Sequence, residues 1–191
     1  LITLDSMKYN IPAGSSYTRT EMIKKILSFQ LPDDGFNLRF AQGSTADPDI
    51  TAMAIQALAP YYRNSTFNVK DPVDKALDCL SKLQLDTGDF RSWGTRNSES
   101  VSQIIVSLCS IGVDPQNDSR FIKNGINLLD ALFYYQQEDG GFAHSYESDP
   151  SNPSAIPGES DSIATDQALL ALVAVWRQAQ GMSILYDFRP G

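Results

Sequence analysis

The chain is short of the side chains that carry several common chemistries. One histidine and two cysteines among 191 residues leave little material for a zinc centre or a nucleophile and base, and a disulfide framework would use every thiol present. Positive charge is scarce as well. Fifteen Lys and Arg stand against 23 Asp and Glu, a formal net charge of −8, which opposes binding to a phosphate backbone or an anionic lipid surface, so nucleic acid is not an expected partner. No uncharged run approaches the roughly 18 residues that a membrane span needs. The first residues, from Leu1 to Asp5, have neither an initiating Met nor a basic segment before an apolar one, and read as the start of a processed or cut fragment. What is abundant is apolar surface, 42% of residues, the composition of a globular domain that buries one sizeable core. Cys79 and Cys109 both fall inside helical patterns and are expected as buried, small hydrophobes.

An internal repeat organises this material. Ile26-Leu-Ser-Phe-Gln30 runs to Asp34-Gly35-Phe36, Leu80-Ser-Lys-Leu-Gln84 to Gly88-Asp89-Phe90, and Leu132-Phe-Tyr-Tyr-Gln136 to Gly140-Gly141-Phe142. The three Phe residues are 54 and 52 positions apart, enough for two helices and two loops. Each turn is followed by a second alignable helix: Thr51 to Leu58, Val101 to Leu108, and Thr165 to Leu172. These are apolar nearly all round, whereas the helices before the turns have one wet face, such as Lys24 and Lys25 opposite Met22, Ile23, Ile26 and Leu27. Enclosed and amphipathic helices in alternation imply two layers, the second helix of each pair inside and the first outside.

Six helices are expected, near 18–30, 48–62, 72–84, 98–111, 121–136 and 161–180, with Pro48 and Pro72 in first turns and Asp47, Asp71, Ser98 and Ser160 as N-caps. Gly112 and Gly181 follow the ends of apolar runs, and residues 69–72, 112–119 and 145–158 read as loops. Leu1 to Ser6 with Tyr9 to Pro12 matches Leu108 to Pro115, the tail of an inner helix and its exit. Residues 1–16 are therefore expected to be the end of an upstream repeat and a linker, 17–181 the helical domain, and 182–191 a tail.

The Gln and Gly-Phe repeat with its Ala-rich inner helices resembles the α/α toroid group of terpenoid cyclases and protein prenyltransferases, which also includes the cobalamin carriers transcobalamin and intrinsic factor. Its flavour is that of the prenyltransferase and squalene oxidase repeat modules of secreted or cell-surface bacterial proteins. The resemblance implies an all-α fold, an incomplete α/α toroid of three helical hairpins, since a full ring in that group has six. It also offers three chemistries.

Proton-initiated cyclisation, as in squalene-hopene-type cyclases, uses an Asp-x-Asp-Asp-Thr-Ala motif whose middle acid protonates the polyene. Here Asp47-Pro48-Asp49-Ile50-Thr51-Ala52 keeps two acids and has Ile50 for the third, so Asp49, beside Asp47, is the candidate acid. The bland alternative is that Asp47 caps the helix and Asp49 favours its positive end. Prenyl transfer to a thiol needs an Asp, Cys and His zinc site; His144 stands alone, is expected at the surface, and no metal or other cofactor is expected. Binding at the open mouth of the ring is the third. Asp47, Asn97 and Asp161 occupy equivalent inner-helix starts, with Arg91, Trp93, Arg96, Glu99, His144, Tyr146 and Asp166 near the same end, aromatic area beside polar groups as in binding sites. The expected function is a non-catalytic ligand- or protein-binding, or structural, module of a secreted or cell-surface bacterial protein. Its partner would be a small hydrophobic ligand, a protein, or a second copy completing the ring. A cyclase acting on a polyprenyl substrate and a cobalamin-like carrier are the alternatives.

Overall fold

A computed structural model describes residues 1–38 and 43–189, so Pro190 and Gly191 of the expected tail lie outside the described residues. The helices are α1 (Ile2–Ser6), α2 (Arg19–Leu27), α3 (Pro48–Leu58), α4 (Lys70–Leu83), α5 (Ser98–Ile111), α6 (Leu128–Phe133) and α7 (Ser162–Ala179). α5 packs between α3 and α7 to form one wall, with α4 backing α3 and α6 backing α5. This is the two-layer, three-hairpin arrangement of an incomplete α/α toroid.

The repeated turn has a repeated geometry. The amides of Leu31, Leu85 and Gln137 each donate to the carbonyl four residues on, at 2.9, 2.9 and 2.8 Å. Asp34, Gly88 and Gly140 supply the left-handed backbone that closes the turn, with φ of 69°, 83° and 89°. Gln30 Nε2 donates to the Asp34 and Pro72 carbonyls, both at 2.8 Å, and Gln84 Nε2 to those of Gly88 and Phe121, at 2.8 and 3.1 Å. The glutamine thus ties its own turn to the next outer segment. In the third repeat the tie fails: Gln136 is exposed, and the Gln137 amide instead reaches the Tyr135 carbonyl and the Tyr146 hydroxyl. Phe36, Phe90 and Phe142 are all buried in the core. Thr51 and Thr165 accept from the Phe36 and Phe142 amides, each at 2.9 Å; the second repeat has Val101 there and lacks the bond.

Several boundaries differ from those expected. α6 is a single short helix, because residues 119–121 form a separate 3-10 turn and Asn127 restarts the chain with a capping box closed by Asp130. α4 starts at Lys70 behind Val69, which offers no side-chain cap. Asp71 is therefore inside its first turn, paired with Lys75, and is not its N-cap. Asn97 caps α5 and Asp161 caps α7, one residue from the expected Ser98 and Ser160. Asp47 caps α3 with Pro48 at its first position, and Gly112 closes α5 at φ 80°. Cys79 and Cys109 are buried free thiols. Among the described residues no helix is long and apolar enough to cross a membrane.

The two ends of the chain meet. Phe188 N–H donates to the Ser6 carbonyl at 2.9 Å. Asp5 in α1 accepts from Arg19 Nε at 2.6 Å and from the Tyr61 hydroxyl at 2.7 Å, which fastens α1 to the C-terminal side of α3.

Candidate functional site

The N-terminal ends of α3, α5 and α7 carry most of the residues of interest, and a short hairpin before α5 is tied to the start of α3. β1 (Arg91–Ser92) and β2 (Thr95–Arg96) pair antiparallel around Trp93 and Gly94, whose φ values of 50° and 95° suit a tight primed hairpin turn. This turn presents Trp93 to solvent, 55% exposed. The hairpin is braced at both ends. Ser92 Oγ donates to Asp47 Oδ2 at 2.7 Å, while Arg91 grips both carboxylate oxygens of Glu147 at 2.9 and 3.1 Å.

Asp47, Asn97 and Asp161 serve the helices themselves. Asp47 Oδ1 accepts from Ile50 N–H, Asn97 Oδ1 from Ser100 N–H, and Asp161 Oδ1 from the amides of Ile163 and Ala164, the helix-start bonds that residues of this kind form. Asp49 is different. Its Oδ1 is buried without a hydrogen-bond partner, and so is Oγ of Ser100 on the neighbouring helix. Burial pushes the Asp49 carboxyl up to about 6; the nearby Ser100 and Ser92 hydroxyls oppose that push, and the charges of Asp47 and Glu99 add to it.

His144 is not the surface residue expected. It is buried, with Nδ1 2.8 Å from Glu99 Oε1 and Nε2 3.0 Å from Asp149 Oδ2. Two carboxylates leave both ring nitrogens as donors, so the ring is an imidazolium; its pKa is pushed up to about 9, chiefly by the Glu99 hydrogen bond, against burial. Burial works to raise Asp149, but Ser151 and His144 hold it down at about 2. The histidine staples loop 145–158 to the start of α5. The loop also closes on itself, Gly158 N–H to the Ser145 carbonyl at 2.8 Å, and next to it Ser98 bonds the backbone of Ala143 and His144.

Tyr146 packs on Tyr134 and Tyr135, with ring centroids 5.1 and 5.9 Å away. Asp166 is exposed on α7 and, among the described residues, makes no hydrogen bond or ion pair with the groups above. Arg96 belongs to a structural network: it pairs with buried Asp89 at 2.6 Å, which also accepts from the Tyr135 hydroxyl at 2.7 Å. The starts of α3 and α5 thus form one polar group of Asp47, Asp49 and Glu99 with His144, while Trp93 and Tyr146 stand exposed. Ser92, Ser100 and Asp149 join it without any signal in their own sequence positions. No group of three or more His, Cys, Asp or Glu among the described residues is arranged to hold a metal ion.

The sequence profile of the squalene-hopene cyclase C-terminal domain matches residues 27–184, which takes in all three turns and all three inner helices. The chain belongs to the squalene-hopene cyclase C-terminal domain family. It is thus a terpenoid cyclase-like module. A search of curated proteins finds no match.

Proposed function

We propose that this squalene-hopene cyclase-type module is a non-catalytic binding domain whose mouth, at the starts of α3 and α5, takes a small hydrophobic ligand or a protein segment. The state of Asp49 carries this reading. Protonation of an alkene calls for a carboxylic acid that is kept protonated and also polarised by hydrogen bonds; burial raises the Asp49 carboxyl to about 6, but its Oδ1 has no hydrogen-bond partner among the described residues. The cation that would strengthen such an acid is committed elsewhere, since both nitrogens of His144 are held by Glu99 and Asp149. Ile50 adds no third carboxyl. What remains is a firmly braced rim presenting Trp93 and Tyr146, which suits contact more than chemistry. A cobalamin-like carrier falls within this reading, and so does placement in a secreted or cell-surface bacterial protein, which the acidic balance of the chain suits.

The deciding assay incubates the purified chain and its Asp49→Asn variant with squalene and analyses the products by gas chromatography and mass spectrometry. The expected result is unreacted squalene from both. Cyclised product from the parent chain, abolished by the substitution, would replace this reading with the cyclase.

A further inference from the structure

The third turn is built unlike the first two. Tyr134 stands two residues before its repeat glutamine, where the other repeats have Ser28 and Lys82, and it is 59% exposed. Tyr146, 45% exposed, comes from loop 145–158, which makes this connection the longest of the three. Its ring is firmly fixed. The hydroxyl accepts from Gln137 Nε2 at 3.0 Å and donates to the Tyr134 carbonyl at 3.2 Å, and Gly158 lies so close that a Cβ there would meet the ring at 3.2 Å. The third turn thus gives up the glutamine tie and holds a tyrosine instead. Trp93 extends the strip of aromatic surface. Arg91 joins the two parts, since its Nη1 donates both to the Gly94 carbonyl and to Glu147, the neighbour of Tyr146. Trp93 itself holds φ 50°, a backbone that bulky residues rarely adopt, and strain of that kind persists where function uses it.

Charge selects the partner. The two cations beside the strip are committed, Arg91 to Glu147 and Arg96 to Asp89, whereas three carboxylates have no cation. Glu138, Asp139 and Glu159 are exposed and line a groove of about 450 Å³ between Gln137 and Gly158, with no Lys or Arg in its walls. Asp139 accepts from Ser160 and Gly141; the side chains of Glu138 and Glu159 make no hydrogen bond or ion pair among the described residues. An adjoining repeat does not cover such places. Ser28 and Lys82, equivalent to Tyr134, and Pro32 and Asp86, equivalent to Glu138, are all exposed although the next repeat packs beside each of their turns. We propose that the strip docks a segment of a partner protein that carries several Lys or Arg residues, their apolar stems lying on Tyr134, Tyr146 and Trp93 and their cations reaching Glu138 and Glu159. Tyrosine and tryptophan faces attract such cations, their stems cover apolar surface, and rigid aromatics are common anchors of protein contacts. The proposal rests on the reading of the module as a binding domain, and chooses a protein segment of one charge over a small ligand.

Fluorescence anisotropy of labelled hexa-lysine and hexa-glutamate peptides tests it. Hexa-lysine is expected to bind saturably and hexa-glutamate not at all. Tyr134→Ser with Trp93→Gly leaves the charge unchanged and keeps the hairpin turn, and should weaken hexa-lysine about tenfold. Glu138→Gln with Glu159→Gln should do the same. Asp86→Asn with Asp166→Asn removes as much charge elsewhere and should alter affinity by less than about twofold. Circular dichroism checks that each variant keeps its helices, and Tyr134→Ser alone serves if the aromatic pair does not. Hexa-lysine that fails to bind overturns the proposal. So does an aromatic pair that changes nothing, or equal weakening by the distant pair, which would be attraction to the net charge of −8 alone. These outcomes leave the binding-domain reading in place, whereas cyclised squalene would remove that reading itself.

Discussion

Two aspartates, buried Asp89 and half-buried Asp49, show how differently one side chain can be housed in the same wall. Asp89 stands in the second turn where the first and third repeats have Gly35 and Gly141. At those two positions a Cβ would come within 2.3 Å of Ala46 Cβ and 2.5 Å of Ser160 Oγ, so glycine is required. In the second repeat the space is instead filled by a carboxylate that meets Arg96, the Tyr135 hydroxyl and the Thr87 hydroxyl at 2.6, 2.7 and 2.6 Å. Asp49 is less enclosed as a residue, but its Oδ1 is buried and has no hydrogen-bond partner. A satisfied carboxylate fixes structure; an unsatisfied one costs stability and persists where something else, such as a ligand group or water, meets it.

The largest effect should come from breaking the satisfied site. Asp89→Ala leaves a partly buried guanidinium and a buried phenol without their acceptor, at a cost of about 3 kcal/mol. Chemical denaturation should report it as a lower midpoint with unchanged slope. Asp49→Asn should act in the opposite direction. The unfolded carboxyl ionises near 3.9 and the folded one near 6, so the parent loses stability as pH rises from about 4 to 6, by roughly 2 kcal/mol. The variant lacks that step, melts several degrees higher at pH 7, and matches the parent near pH 4. Equal pH profiles for the two would mean that Asp49 is not held as described.

His144 supplies a third term with its own window. Its folded value, about 9, lies above the ordinary 6.5, so the stability it contributes is complete below pH 6.5 and disappears as pH rises through 9. Amide protection, corrected for the base-catalysed intrinsic exchange rate, should fall in loop 145–158 but not in α5 between pH 7 and pH 9.5, and His144→Gln should show the less protected loop already at pH 7.

The contrast between the aspartates also marks how much was legible beforehand. Gln30, Gln84 and the Gly-Phe turns announced the hairpins because local bonds of fixed spacing recur with them. Asp47, Asn97 and Asp161 fell at equivalent helix starts for the same reason. The helical pattern over 121–136 runs past the bounds of α6 because Leu128, Leu129 and Leu132 continue an apolar spacing that Asn127 interrupts with its own capping bonds. The burial of His144 is not legible in the sequence because Asp149 lies across a loop and Glu99 forty-five residues away, and nothing in a one-dimensional pattern pairs them. Ser92 and Ser100 were unreadable for a similar reason: a serine's role depends on what faces it.

The smallest expected effect sharpens the comparison most. Asp47 and Asp49 share one helix start, and the charge of Asp47 is one of the reasons that Asp49 holds its proton. Asp47→Asn keeps an oxygen for the Ile50 amide, and asparagine caps helices about as well as aspartate, so the fold and the stability near pH 4 should barely change. Removing that neighbouring charge nevertheless makes ionisation of Asp49 easier, and the stability step should move to lower pH and shrink. Melting temperatures of the parent and Asp47→Asn between pH 4 and 7 measure this directly. A step that stays in place would leave burial and the charge of Glu99 as the causes of the Asp49 shift, while a step that moves would mean that the Asp47 charge contributes even with Ile50 in place of a third acid.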